Sequence, residues 1–148
     1  MASILVVDDD PAVRTAIQMV LEREGLEVHA VNDGPTALKL VAAEDFDMLI
    51  VDVFMPGMDG LEVIKQVHRH KPKLPIIAMS GLPFQSGATQ PPDFLSTATK
   101  HGAVGSLTKP FRPRDLLAVI AEGLERSTAE GLERPAGGPE IVHAKTHA

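Results

Sequence analysis

Five short aliphatic, β-branched runs alternate with amphipathic stretches along this chain, and that alternation restricts the fold more than any other feature. It predicts βα units, with parallel strands covered on both faces by the helices that connect them. "SILVV" (3–7) reads as the first strand. Pro11 suits the first turn of a helix, where its missing N–H has no partner anyway, and the helix should run to about Glu24, stopped by Gly25. Val13, Ile17, Val20 and Leu21 recur at helical spacing, giving that helix one face built to lie on a sheet. "LEVHAV" (26–31) predicts strand two, and "DGPTALKLVAAEDF" (33–46) a helix with Ala37, Leu38 and Val41 inward. The nearly all-apolar "DMLIVDV" (47–53) belongs in the middle of a sheet. "DGLEVIKQVHRH" (59–70) and "PIIAMS" (75–80) continue the alternation as helix and strand. "DFLSTATKHGA" (93–103) follows as a short helix, "VGSLT" (104–108) as a fifth strand, and "RPRDLLAVIAEGLER" (112–126) as a last helix presenting Leu116, Leu117, Val119, Ile120 and Leu124. The expected class is α/β: a doubly wound, five-stranded parallel sheet with helices on both faces.

Two stretches break the pattern. "GLPFQSGATQPP" (81–92) combines Gly and Pro without periodicity and predicts a loop, long for a βα connection. "STAEGLERPAGGPEIVHAKTHA" (127–148) has too few apolar residues for a core and is expected to be a disordered tail beyond a domain spanning 1–126. "AEGLER" occurs twice, at 121–126 and 129–134, as a small duplication or as the last helix continued by a turn or two. With 148 residues there is room for one core. A net charge of -6 with only 14 Lys and Arg argues against direct DNA binding, which needs clustered cations. No cysteine is present, which excludes disulfides and thiolate metal sites and fits a reducing cytoplasm. No apolar run approaches the roughly 20 residues of a membrane span, so neither a signal peptide nor a membrane anchor is expected.

In such a sheet, ligands bind beyond the carboxyl ends of the strands where strand order reverses. Those ends carry Asp8 and Asp9, Asp52, Ser80, and Thr108 with Lys109. Three clustered carboxylates repel one another unless a cation lies between them, and a hard divalent ion with oxygen ligands, most naturally Mg2+, answers that need. A carboxylate beside such an ion can be a nucleophile toward phosphorus, giving an aspartyl phosphate. Lys109 would then neutralise phosphoryl oxygens and Ser80 could donate a hydrogen bond to the product. Pro110 restrains the backbone at Lys109.

With "VVDDD" after strand one, "DVFMPGMDG" after strand three, "MSG" after strand four and "LTKPF" after strand five, the chain resembles the receiver domains of bacterial two-component response regulators over residues 2 to about 126. The resemblance implies a flavodoxin-like sheet of strand order 2-1-3-4-5. It further implies Asp52 as phosphoacceptor, Mg2+ held by Asp9, Asp52 and the backbone carbonyl of Phe54 with Asp8 acting through water, and Ser80 and Lys109 as switch hydroxyl and lysine. The partners it implies are a histidine kinase or histidine phosphotransfer protein and a downstream protein. A stand-alone signalling module, catalysing only its own phosphorylation, is the leading expectation.

Other acids have simpler readings. Asp10 before Pro11 and Asp59 before Gly60 are expected to cap helices, and the histidines, which share no metal spacing, to lie at the surface. Two features depart from the family pattern. Ser106 stands where an aromatic residue usually precedes the lysine by three positions, and the segment between Ser80 and Lys109 is long. Both predict an unusual output surface. A phosphorylation-independent interaction module is the alternative, supported only by Ser106. A phosphohydrolase of the haloacid-dehalogenase type wants a second Asp two residues after the nucleophile, where this chain has Phe54. An EF-hand reading of "DDDPAVRTAIQM" lacks the central Gly and terminal Glu.

Overall fold

The computed structural model describes residues 2–55, 57–81 and 93–132. They form β1 (Ser3–Val7), α1 (Pro11–Arg23), β2 (Glu27–Val31), α2 (Gly34–Ala43), β3 (Met48–Asp52), α3 (Gly60–His70), β4 (Ile76–Ser80), α4 (Asp93–Lys100), β5 (Gly105–Thr108) and α5 (Pro113–Leu132). All pairings are parallel, in the order β2-β1-β3-β4-β5. The order reverses between β1 and β3, so the ends of these two strands flank the topological switch point.

Alternation along the strands divides the core. Leu5, Val7, Leu49 and Val51 face α2, α3 and α4 through Ala37, Val41, Val63, Ile64, Val67 and Ala98. Ile4, Val6, Met48, Ile50, Ile77 and Met79 face α1 and α5 through Ile17, Leu21, Leu116 and Ile120. β1, β3 and β4 are buried almost throughout, whereas the edge strands are less covered, with only Val28 of β2 and Leu107 of β5 buried. Short acids start the helices. Asp10 accepts from the Ala12 N–H at 2.9 Å, Asp33 from Thr36 at 2.8 Å and Asp59 from Glu62 at 3.0 Å, each satisfying an otherwise unpaired first-turn donor.

Three boundaries differ from expectation. α2 stops at Ala43 rather than 46, and Phe46 turns its ring edge onto His29, with centroids 5.4 Å apart. His29 lies at the surface as expected, its side chain 36% exposed, where it is hydrogen-bonded to Glu27 and meets the Phe46 ring. α4 ends at Lys100 rather than 103. α5 continues through Leu132, six residues beyond the expected domain end at 126, so the first four residues of the second "AEGLER" extend the helix. The 82–92 segment and residues 133–148, expected as loop and tail, lie outside the described residues.

Candidate functional site

Polar side chains are rare in this core. Asp8, Asp52 and Ser80 are the buried polar residues among those described, and all three stand at carboxyl ends of strands. Asp8 follows β1 and is held on every side. Its N–H donates to the Val31 carbonyl at 3.1 Å, its carbonyl accepts from Arg14 Nη1 at 2.8 Å, and its Oδ1 accepts from the Asp10 N–H at 2.9 Å. Its Oδ2 lies 2.8 Å from Lys109 Nζ. Asp52 ends β3, 4% exposed; its Oδ1 accepts from the Phe54 N–H at 3.0 Å and its Oδ2 lies 3.1 Å from the same ammonium.

Lys109 leaves the end of β5, where its N–H donates to the Ser80 carbonyl at 2.8 Å and ties the two strand ends together. The Lys109–Pro110 peptide is cis. Asp9 is exposed, and one carboxylate oxygen each from Asp8, Asp9 and Asp52 lie within 4.8 Å of one another. Ser80 sits at the neighbouring strand end, but its hydroxyl donates to the Gly81 carbonyl at 3.1 Å rather than into the cluster. Thr108 is exposed. The structure thus brings Asp8, Asp9, Asp52 and Lys109 together, with Ser80 adjacent.

The loop after Asp52 is shaped by two glycines. Gly57 has φ +81°, a left-handed conformation that side chains rarely adopt. Gly60 starts α3 directly against the strand end, and a Cβ there would collide with the backbone of Asp52 and Val53. Pro56, expected to help shape this loop, lies outside the described residues.

Burial raises the Asp52 pKa above the ordinary carboxylate value; the Phe54 N–H and Lys109 oppose this rise, and Asp8 adds to it. Burial pulls Lys109 the other way, toward losing its proton, yet Asp8 and Asp52 together hold its pKa above the ordinary lysine value. One ammonium therefore serves two buried carboxylates, with a third close by. That surplus of oxygen donors and negative charge fits a hard divalent cation such as Mg2+. A cavity of about 450 Å³ lined by Val41, Phe46, Lys71 and Leu74 opens at the opposite end of the sheet, away from these groups.

Residues 4–121 match the response regulator receiver domain. The chain belongs to that family. Receiver domains are signalling domains, phosphorylated by histidine kinases, that generally bind Mg2+ at an acidic pocket. This receiver is 36% identical over 124 residues to the alkaline phosphatase synthesis transcriptional regulatory protein PhoP of Bacillus subtilis, covering 84% of this chain and 49% of PhoP. It is 32% identical over 134 residues to the DNA-binding transcriptional regulator NtrC of Rhizobium meliloti, covering 90% of this chain and 25% of NtrC. The receiver therefore spans about half the length of the one relative and a quarter of the other.

Among solved structures, a CheY-like receiver domain protein from Methanospirillum hungatei superimposes with a TM-score of 0.79 at 29% identity, covering 88% of this chain and 98% of that one. Vibrio cholerae chemotaxis protein CheY4 does so with a TM-score of 0.74 at 32% identity, covering 84% and 99%. The expected flavodoxin-like order matches the observed sheet. Among the described residues, no helix is long and apolar enough to cross a membrane.

One participant escaped the sequence reading. Arg14 was not singled out there, yet its guanidinium reaches back six residues to the Asp8 carbonyl. No local pattern marks it, because the contact depends on how the β1–α1 turn folds.

Proposed function

We propose that this receiver accepts a phosphoryl group on Asp52 from a histidine kinase or histidine phosphotransfer protein, in a Mg2+-dependent reaction, and signals to a downstream protein through a change of conformation. The observation that carries this reading is Asp52 itself, a buried carboxylate at the switch point with Lys109 Nζ 3.1 Å away and two further acids beside it. In the proposed reaction an Asp52 oxygen bonds to phosphorus as the donor's N–P bond breaks, and the imidazole leaves. Lys109, already between Asp8 and Asp52, is positioned to neutralise a phosphoryl oxygen. The Ser80 hydroxyl can turn from the Gly81 carbonyl to donate to the product. As the resemblance to receiver domains implies, Asp9, Asp52 and the Phe54 carbonyl would hold Mg2+, with Asp8 acting through water. When bound, the ion supplies the positive charge that lets an anionic nucleophile approach an anionic phosphoryl group.

Intact mass after incubation with acetyl phosphate, with Mg2+ or with EDTA, tests the reading. A phosphate-sized gain only with Mg2+ is expected. No gain in folded protein would favour the phosphorylation-independent interaction module, for which exposed Ser106 on β5 is the supporting feature. The stand-alone reading is tested separately, by the mass of the endogenous protein recovered from its own cells; a longer product would overturn it.

Phe54 is 43% exposed beside Asp52 and cannot position a hydrolytic water. The phosphorylated protein should accordingly be long-lived, and Phe54→Asn should shorten its lifetime at least a few-fold, read as the decay of the phosphorylated mass after the donor is removed. An unchanged lifetime would remove this role from position 54.

A further inference from the structure

We infer that Arg14 is a positioning residue for the metal site, fixing the β1–α1 turn so that the Asp9 carboxylate is held ready for a divalent cation. This rests on the reading of the acidic cluster as a Mg2+ site. Arg14 lies in the first turn of α1, and its Nη1 donates to the Asp8 carbonyl at 2.8 Å, the peptide that leads into Asp9; its N–H makes only the ordinary first-turn helix bond to the Asp10 carbonyl. The Asp10 N–H in turn closes on Asp8 Oδ1 at 2.9 Å, so both neighbours of Asp9 are pinned.

The side chain of Asp9 itself is exposed and has no hydrogen bond or ion pair among the described residues. It is an uncommitted carboxylate on an immobilised turn, close to the oxygens of Asp8 and Asp52. The guanidinium of Arg14 makes no ion pair among the described residues either, so it is not spent on a surface salt bridge. It is half-buried, and its recorded partner is a main-chain carbonyl whose position sets where the chain leaves β1. Groups that orient ligands without touching the metal commonly change metal affinity 10- to 100-fold.

A cation near a metal site could also act by plain repulsion, and the two roles predict opposite signs. Positioning predicts weaker Mg2+ binding when Arg14 is lost; repulsion predicts tighter binding. The test is calorimetric titration of the full chain with MgCl2, without phosphodonor, alongside thermal denaturation in EDTA. Arg14→Met should raise the Mg2+ Kd about 10-fold, Arg14→Lys, which keeps a donor able to reach the Asp8 carbonyl, should bind within about two-fold of the parent, and Asp9→Asn should abolish binding. Should Arg14→Met fail to fold, the same titration of Arg14→Leu decides in the same way. A folded Met or Leu variant with an unchanged or lower Kd overturns the inference alone. A parent that binds no Mg2+ overturns the metal-site reading and this inference with it.

Discussion

Asp52→Asn is expected to leave no phosphoprotein detectable by intact mass after acetyl phosphate and Mg2+, and yet to melt at a higher temperature than the parent when both are in EDTA. The first outcome follows from the chemistry: an amide is not a nucleophile toward phosphorus under these conditions, and no neighbouring acid has the same strand-end position. The second follows from burial. Asp52 is 4% exposed, and its pKa is raised chiefly because burial disfavours its charge. For such an acid the folded state favours the protonated form. That preference stabilises the fold below the unfolded pKa and is lost as pH rises through the folded one, so near neutrality the ionised group is a net burden. Asn removes the burden, while Lys109 keeps Asp8 at 2.8 Å. Replacing one buried charge should therefore raise the melting temperature in EDTA at neutral pH. A lower melting temperature would mean that the Asp52–Lys109 pair outweighs the desolvation of Asp52.

Lys109→Met should do the reverse, destabilising the protein and slowing phosphorylation. Its ammonium is the shared partner of Asp8, fully buried, and of Asp52. Removing one member of a buried pair costs about 3 to 5 kcal/mol; because the lysine side chain is 19% exposed, the low end, about 3 kcal/mol, is expected in urea denaturation at neutral pH. The deficit should shrink as pH falls and the stranded carboxylates take up protons. It should also shrink with Mg2+, which restores positive charge among the acids. A deficit independent of both pH and Mg2+ would mean that the lysine acts through its aliphatic stem. The rate of phosphorylation by acetyl phosphate should fall about 100-fold, the scale for losing one preorganised electrostatic group. Mg2+ should not restore that rate, since the ion would be held by Asp9, Asp52 and the Phe54 carbonyl and would not replace the ammonium.

Most of the fold was legible because periodicity is a local property. Strand starts and ends fall within a residue of their expected places, and Asp10 and Asp59 cap α1 and α3 as their neighbours Pro11 and Gly60 suggested. The misplaced boundaries depend on contacts across the fold or on continued propensity. Phe46 falls inside the expected second helix, but α2 ends three residues earlier and Phe46 meets His29 of the edge strand in a T-shaped ring pair. Residues 127–132 carry few apolar groups and so fit the expected tail, but the other reading of the repeated "AEGLER", as the last helix continued by a turn or two, is the one the structure shows. At the site, strand ends identified which acids and which lysine could meet. They could not show that the Ser80 hydroxyl turns to its own neighbour's carbonyl, or that Arg14 reaches back to Asp8, because each is a choice of side-chain rotamer.

α5 begins four residues after Lys109 and runs unbroken for 20 residues, about 30 Å. Along the way Gly123, buried and without a side chain, lets it pass close over Met48 and Ile77. Held against the sheet through Leu116, Ile120 and Gly123, the helix is a keel clamped along its length, so any movement at its root is resisted by the strands beneath it.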